Sequence, residues 1–188
     1  MKIEKWFPTV VGVFEDVISE EENNYLIDNI LKMKNKRGGE LWSTDVYNTH
    51  GTYELTKDKK FNGLNKKIEL NTKQFAKELG SDDAYKITSS WYNIYYSGDF
   101  QEYHYHEDNI FSAVYFFTNP KDSGKLVFKS PIKDMFQLKK SKTNDLTHTC
   151  AYYNLKPRSL IIFRSYLDHM VEKCYNKEPR ITAAYNLK

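Results

Sequence analysis

The hydrophobic period of this chain changes once, near Ala84, and that change does most to limit what it can fold into. Before it, apolar residues recur at helical spacing. Ser19-Glu20-Glu21-Glu22 fits a capping box, in which Ser19 and Glu22 satisfy backbone donors at a helix start. Leu26, Ile27, Ile30 and Leu31 follow at three- and four-residue intervals, and Gly38-Gly39 ends the run. A second helix is expected over residues 61–79, with Phe61, Leu64, Ile68, Phe75 and Leu79 on one stripe and Gly80 suited to the C′ position.

After Ala84 the period is two. KITSSWYNIYY, FSAVYFF, KLVFKS, SLIIF and RITAAYNL are rich in β-branched and aromatic residues, and turn signals such as Ser97-Gly98-Asp99 and Asn119-Pro120 separate them. Helices followed by roughly six to eight short strands predict a mostly β chain, an antiparallel sandwich with the N-terminal helices packed outside it. The lysine-rich stretch over residues 129–142 reads as a solvated loop.

Composition narrows the function classes. A chain of 188 residues, 40% hydrophobic and 15% aromatic, buries a core without staples and is not disordered. One domain spanning residues 1–188 is expected. Lys+Arg exceed Asp+Glu by 28 − 25 = 3, too mild an excess to suggest a nucleic-acid partner. No apolar run approaches the ~20 residues that span a bilayer. The start, MKIEKWFPTVVGVFED, lacks the apolar core of a signal peptide. Cys150 and Cys174 form no CxxC and no disulfide framework. A cytoplasmic location is expected, with no membrane partner. The abundance of Asn, Lys and Tyr fits a bacterial or phage genome rich in A and T.

The chain has five histidines, and three sit in suggestive contexts. Gln101-Glu102-Tyr103-His104-Tyr105-His106-Glu107-Asp108 precedes the strand FSAVYFF. In an extended segment residues two apart point the same way, so His104, His106 and Asp108 are placed to converge. His169 follows the apolar strand SLIIF, and eleven residues later Arg180 and Thr182 share a face of the last strand. Two imidazoles and a carboxylate hold a borderline metal such as non-haem Fe(II) without closing its coordination sphere. An arginine fork beside a hydroxyl grips a carboxylate with parallel hydrogen bonds. Each element alone is weak, but their order and spacing reinforce one another. His50 and His148 read as structural or exposed, and Cys150 as a small buried hydrophobe.

The order YxxG, HxHxD, strands, histidine and RxT resembles the 2-oxoglutarate and Fe(II)-dependent oxygenases, in particular their small bacterial and phage members. The resemblance covers nearly the whole chain. It runs through Trp6-Phe7-Pro8-Thr9, Trp42-Ser43-Thr44, Thr49-His50-Gly51-Thr52, Tyr95-Tyr96-Ser97-Gly98, His104-Tyr105-His106, Ser123-Gly124-Lys125-Leu126, His169 and Arg180-Ile181-Thr182. It implies a double-stranded β-helix, or jelly-roll, core with Fe(II) at one open end. It implies that 2-oxoglutarate is the cosubstrate, its C5 carboxylate held by Arg180 and Thr182, with Tyr95 and Asn93 lining its pocket. With O2, 2-oxoglutarate would be converted to succinate and CO2 and a substrate hydroxylated.

One departure leaves the metal set open. Most of the superfamily reads HxD, whereas His104-Tyr105-His106 occupies those positions here. The nearer subfamily also tends to read HxH. Either His104, His106 and His169 hold the metal, or His106, Asp108 and His169 do. A small-molecule or peptidyl substrate is expected, with loops over residues 36–58 and 129–144 over the open end. The competing reading is a non-catalytic jelly-roll binding or phage accessory protein, which has no reason to keep the metal and arginine set intact.

Overall fold

The capping signals in the sequence start and stop the helices. The computed structural model describes residues 1–34, 43–132, 139, 141–142, 144 and 146–188. Ser19 Oγ accepts from the Glu22 N–H at 3.1 Å and opens α1 (Glu20–Met33). α2 (Asn62–Glu78) ends in a Schellman motif: Gly80 N–H donates to the Lys77 carbonyl and Ser81 N–H to the Ala76 carbonyl, both at 3.0 Å. Gly80 takes the left-handed φ of +85° that this motif needs.

Leu26 and Ile30 of α1, and Leu64, Ile68 and Phe75 of α2, are buried with Phe61 in one core cluster. Two residues of the expected stripes stay outside: Leu31 is 42% and Leu79 40% exposed. Leu31 lies about 100° round the helix from Ile30, and Leu79 is already the C-cap with φ −91° and ψ 4°. Gly38-Gly39 and Trp42 lie outside the described residues, as does half of the lysine-rich stretch. Cys150 is only partly buried, so its reading as a core residue is corrected. It sits with the Tyr103 hydroxyl 3.8 Å from its sulfur.

The strands are β1 (Val11–Phe14), β2 (Tyr47–Asn48), β3 (Ile87–Tyr95), β4 (Gln101–His104), β5 (Phe111–Phe116), β6 (Leu126–Lys129), β7 (Cys150–Tyr153), β8 (Leu160–Arg164), β9 (His169–Val171) and β10 (Arg180–Leu187). They form a six-stranded sheet in the order β1-β8-β5-β10-β3-β2 and a four-stranded sheet in the order β4-β9-β6-β7. Their pairings are antiparallel. This is the antiparallel sandwich with N-terminal helices that the change of period predicted, and it has the jelly-roll form that the family resemblance implied.

The alternation of side chains in the large sheet explains the layers. Ile181, Ala183, Ile94, Tyr92, Ala113, Tyr115 and Ile162 point to one face and pack with both helices. Tyr95, Phe116, Ile161 and Phe163 point to the other and meet Leu126, Phe128 and Val171 of the small sheet. Arg180, Thr182 and Asn93 project toward that second interface as well, which is where a polar pocket opens. Gly124, just before β6, is held close to the chain leaving β9 at Glu172. A Cβ there would overlap the Glu172 carbonyl, and Glu172 N–H donates to Lys125 O at 3.0 Å.

Candidate metal centre

The small sheet sets two of the histidines. β4 and β9 pair with His104 directly opposite His169, and cross-strand neighbours project from the same face. His106 lies two residues past the end of β4, where its N–H donates to the Ser165 carbonyl at 3.0 Å. The ring centroids stand 4.2 Å apart for His104 and His169, 5.3 Å for His104 and His106, and 5.2 Å for His106 and His169. One ligand atom from each lies within 4.8 Å of the others.

Two of the rings are held through the nitrogen that points away from the cluster. His104 Nδ1 is 2.8 Å from the Glu102 carbonyl and His169 Nδ1 is 3.0 Å from the Leu167 carbonyl. A carbonyl only accepts, so Nδ1 carries the proton and Nε2 keeps its lone pair. Burial lowers the pKa of all three. His104 is lowered mainly by desolvation, and His106 falls to about 4 through desolvation and the charges of His104 and His50. His169 falls well below the ordinary value through burial, then through His104 and His106. At neutral pH the cluster is three uncharged imidazoles, the donor set of a divalent first-row metal.

Asp108 is not brought into the cluster. It is exposed, in a turn, with φ +61°. That left-handed residue ends the two-residue alternation on which convergence of all three side chains depended.

The large sheet supplies the other half of the site. Arg180 pairs with Tyr95 and Thr182 with Asn93 across β10 and β3. Arg180 is 1% exposed. Its guanidinium carbon stands 4.6 Å from the Tyr95 ring centroid and 5.2 Å from that of Phe116. None of its three nitrogens makes a well-formed hydrogen bond among the described residues. A buried cation in that state is costly, and a carboxylate guest is what would offset the cost.

Tyr95 donates its hydroxyl proton to Gln101 Oε1 at 2.6 Å. Burial pushes its pKa up to about 12, and the neighbouring Arg180 charge opposes that rise. Asn48 Nδ2 donates to Asn93 Oδ1 at 2.8 Å, and Asn48 Oδ1 accepts from the His50 N–H at 2.6 Å. Asn93 Nδ2 is thereby left without a partner among the described residues.

A single pocket is lined by His104, His106, His169, Asn93, Tyr95, Gln101, Arg180 and Thr182. Trp91 and Ser112 line it too. Sequence reading missed Gln101, Trp91, Ser112 and the placement of His50. Only strand register could have revealed the first three. His50 sits with its ring centroid 4.6 Å from that of Trp91, at the mouth of the site, although no local motif marks it.

Neutral imidazoles at one side of a buried pocket and an unmatched guanidinium at the other, set in a jelly-roll sandwich, have the donor chemistry of a metal centre beside an anion subsite. The sequence profile of the family described as "Putative 2OG-Fe(II) oxygenase" matches residues 89–186. The chain belongs to this family, whose members use Fe(II), 2-oxoglutarate and O2.

Solved structures show the same fold at low identity. A 2OG-Fe(II) oxygenase family oxidoreductase from Burkholderia pseudomallei superposes with TM-score 0.69 at 13% identity, covering 95% of this chain and 85% of that one. A Pseudomonas putida prolyl-4-hydroxylase gives 0.66 at 11%, covering 96% and 92%. The viral collagen prolyl hydroxylase of Paramecium Bursaria Chlorella virus-1, solved with 2-oxoglutarate, gives 0.60 at 14%, covering 94% of each. No curated protein matches the chain in sequence. Among the described residues no helix is long and apolar enough to cross a membrane.

Proposed function

We propose that the chain is a 2-oxoglutarate-dependent hydroxylase in which His104, His106 and His169 hold Fe(II). Arg180 and Thr182 bind the C5 carboxylate of 2-oxoglutarate, and Tyr95 and Asn93 line its pocket. The observation that carries this reading is the Arg180 guanidinium, 1% exposed and without a well-formed hydrogen bond among the described residues. The exposed, turn-bound Asp108 favours the three-histidine set over His106, Asp108 and His169.

Bound there, Fe(II) would let O2 oxidise both 2-oxoglutarate, to succinate and CO2, and a substrate C–H bond, with one oxygen atom going to succinate and the other to the substrate. The protein's own part is positional. The Glu102 and Leu167 carbonyls keep Nε2 of His104 and His169 free of a proton. The Tyr95 and Phe116 rings cover the guanidinium and keep water from it. Asn93 Nδ2 is free to donate to the cosubstrate.

Residues 1–188 act as one domain, since α1 and α2 pack on the face of the large sheet opposite the pocket. The free thiols of Cys150 and Cys174 support a reducing, cytoplasmic setting. The two prolyl hydroxylases among the structural neighbours support hydroxylation of a small-molecule or peptidyl substrate.

Anaerobic titration of the Fe(II)-loaded protein with 2-oxoglutarate tests the reading through the visible metal-to-ligand charge-transfer band. The band is expected in the wild type and weakened in Arg180→Ala. A folded, iron-loaded protein that gives no band would overturn the oxygenase reading in favour of a non-catalytic binding module.

A further inference from the structure

We propose that the open face of the histidine cluster takes a positively charged substrate, an amine or guanidinium, selected by Glu107 and Asp168. The proposal rests on the oxygenase reading above and adds the substrate class. A cavity of about 800 Å³ opens over His104 and His106, and its wall includes Tyr103, Tyr105, Glu107 and Asp168. No lysine or arginine lines it among the described residues.

Neither carboxylate has a lysine or arginine beside it in the cavity wall among the described residues, and the nearby Lys129 ammonium lies over the Tyr103 ring instead. Glu107 accepts from the Tyr105 hydroxyl at 2.9 Å, a neutral donor. The Asp168 carboxylate acts on Tyr103, His104 and Tyr105, and neither acid forms an ion pair among the described residues. Tyr103 and Tyr105 are 41% and 52% exposed. Lys129 Nζ stands 5.7 Å from the Tyr103 ring centroid, so that ring already holds a cation and the Tyr105 ring is the one open to a ligand.

Charge therefore divides along the axis of the site. The deep end carries the unmatched guanidinium of Arg180, which a dicarboxylate neutralises. The mouth carries two carboxylates and two aromatic rings. An anionic substrate would meet like charge there, and a neutral one would leave both carboxylates unmatched. A free amine and the side chain of a basic residue in a peptide share the required chemistry.

Anaerobic calorimetry on the Fe(II)- and 2-oxoglutarate-loaded protein tests this with four probes: cadaverine, a lysine-containing pentapeptide, and the acetylated form of each. At least one amine probe is expected to bind about tenfold or more tighter than its acetylated counterpart, as a charge-assisted contact implies. That preference should shrink with added salt. Tight binding of cadaverine assigns a free amine, and tight binding of the peptide alone assigns a peptidyl residue.

Glu107→Gln, alone and with Asp168→Asn, should erase most of the preference while leaving the charge-transfer band in place. The surviving band also shows that the variants are folded. Equal binding of acetylated and free amines, no binding of either amine, or an unchanged preference in the double variant would overturn the proposal alone. Absence of the band in the wild type would take the oxygenase reading down first, and this proposal with it.

Discussion

His104 on β4 and His169 on β9 are direct cross-strand partners, with ring centroids 4.2 Å apart and each Nδ1 tied to the carbonyl two residues before it. The symmetry has a consequence for metal binding. Both imidazoles are fixed in tautomer and aim before any metal arrives, and His106 completes the set from beyond the strand end. His104→Ala, His106→Ala and His169→Ala should each lower Fe(II) affinity by about 100-fold or more, the scale on which metal sites respond even to losses around their ligands. Asp108→Ala should leave it within about twofold, as expected for a surface substitution. Anaerobic equilibrium dialysis with metal analysis checks both. A large loss in Asp108→Ala would restore the carboxylate-containing set.

Arg180 sets stability against cosubstrate binding. A buried guanidinium without full hydrogen bonding costs several kcal/mol, and the Tyr95 and Phe116 ring faces return only about 2. Arg180→Met keeps the volume and removes the charge, so the 2-oxoglutarate-free protein should gain about 1 kcal/mol and melt about 2–4 °C higher. The same variant loses a bidentate grip, and its 2-oxoglutarate Kd should rise by about 100-fold. Thermal melts with and without 2-oxoglutarate separate the two effects. Wild type should be stabilised by the ligand and the variant should not.

Much of this was legible in the residues, and what was not has a common cause. The helices could be read because Ser19, Glu22 and Gly80 carry local capping chemistry, and the strands because period-two runs such as Phe111–Phe116 are bounded by turns. His104, His106, His169 and Arg180 could be singled out because spacing alone puts them in strands or just past their ends. The choice between the two metal sets could not be read from the residues, because the alternation that would bring Asp108 to the cluster runs into its own positive φ. Gln101, Trp91 and His50 stayed hidden for a different reason. Their place in the site depends on which strands pair, and pairing over 40 or more positions is a tertiary property, as Asn48 opposite Asn93 illustrates.

The cluster should make the metal-free protein acid-sensitive. His106 titrates at about 4 in the fold against 6.5 for a free imidazole. Between those values the unfolded chain binds more protons than the folded one, so stability falls as pH drops from 6.5 toward 4. The loss reaches about 3 kcal/mol for this residue at its end, and His104 and His169 act in the same direction. Denaturant melts with a chelator present should show little change between pH 8 and 7 and a steep decline below pH 6. His106→Gln should flatten that decline. A wild-type profile that is level down to pH 4.5 would contradict the depressed values.

Asn48 offers a test of cosubstrate orientation that leaves the metal untouched. Its Nδ2 donates to Asn93 Oδ1 and its Oδ1 accepts from the His50 N–H, so both ends of the amide are engaged and Asn93 Nδ2 is held free. Asn48→Asp exchanges the donor for an acceptor. Asn93 Nδ2 would then turn back to the new carboxylate, leaving an oxygen where an anionic cosubstrate needs a donor. One lost hydrogen bond to a charged group, with a repulsive lone pair in its place, is worth about 2 kcal/mol, or about 30-fold in 2-oxoglutarate affinity. Fe(II) binding should be unchanged, because the hydrogen bonds of this pair run to each other and to the His50 N–H, while the rings of His104 and His169 are held by the Glu102 and Leu167 carbonyls. Asn48→Ala removes the donor without adding a competitor, so its effect should be several-fold smaller. Fe(II) affinity and the 2-oxoglutarate dependence of the charge-transfer band, measured on the same samples, separate orientation from general loss of structure. A variant that loses iron and cosubstrate together would assign Asn48 a purely structural role.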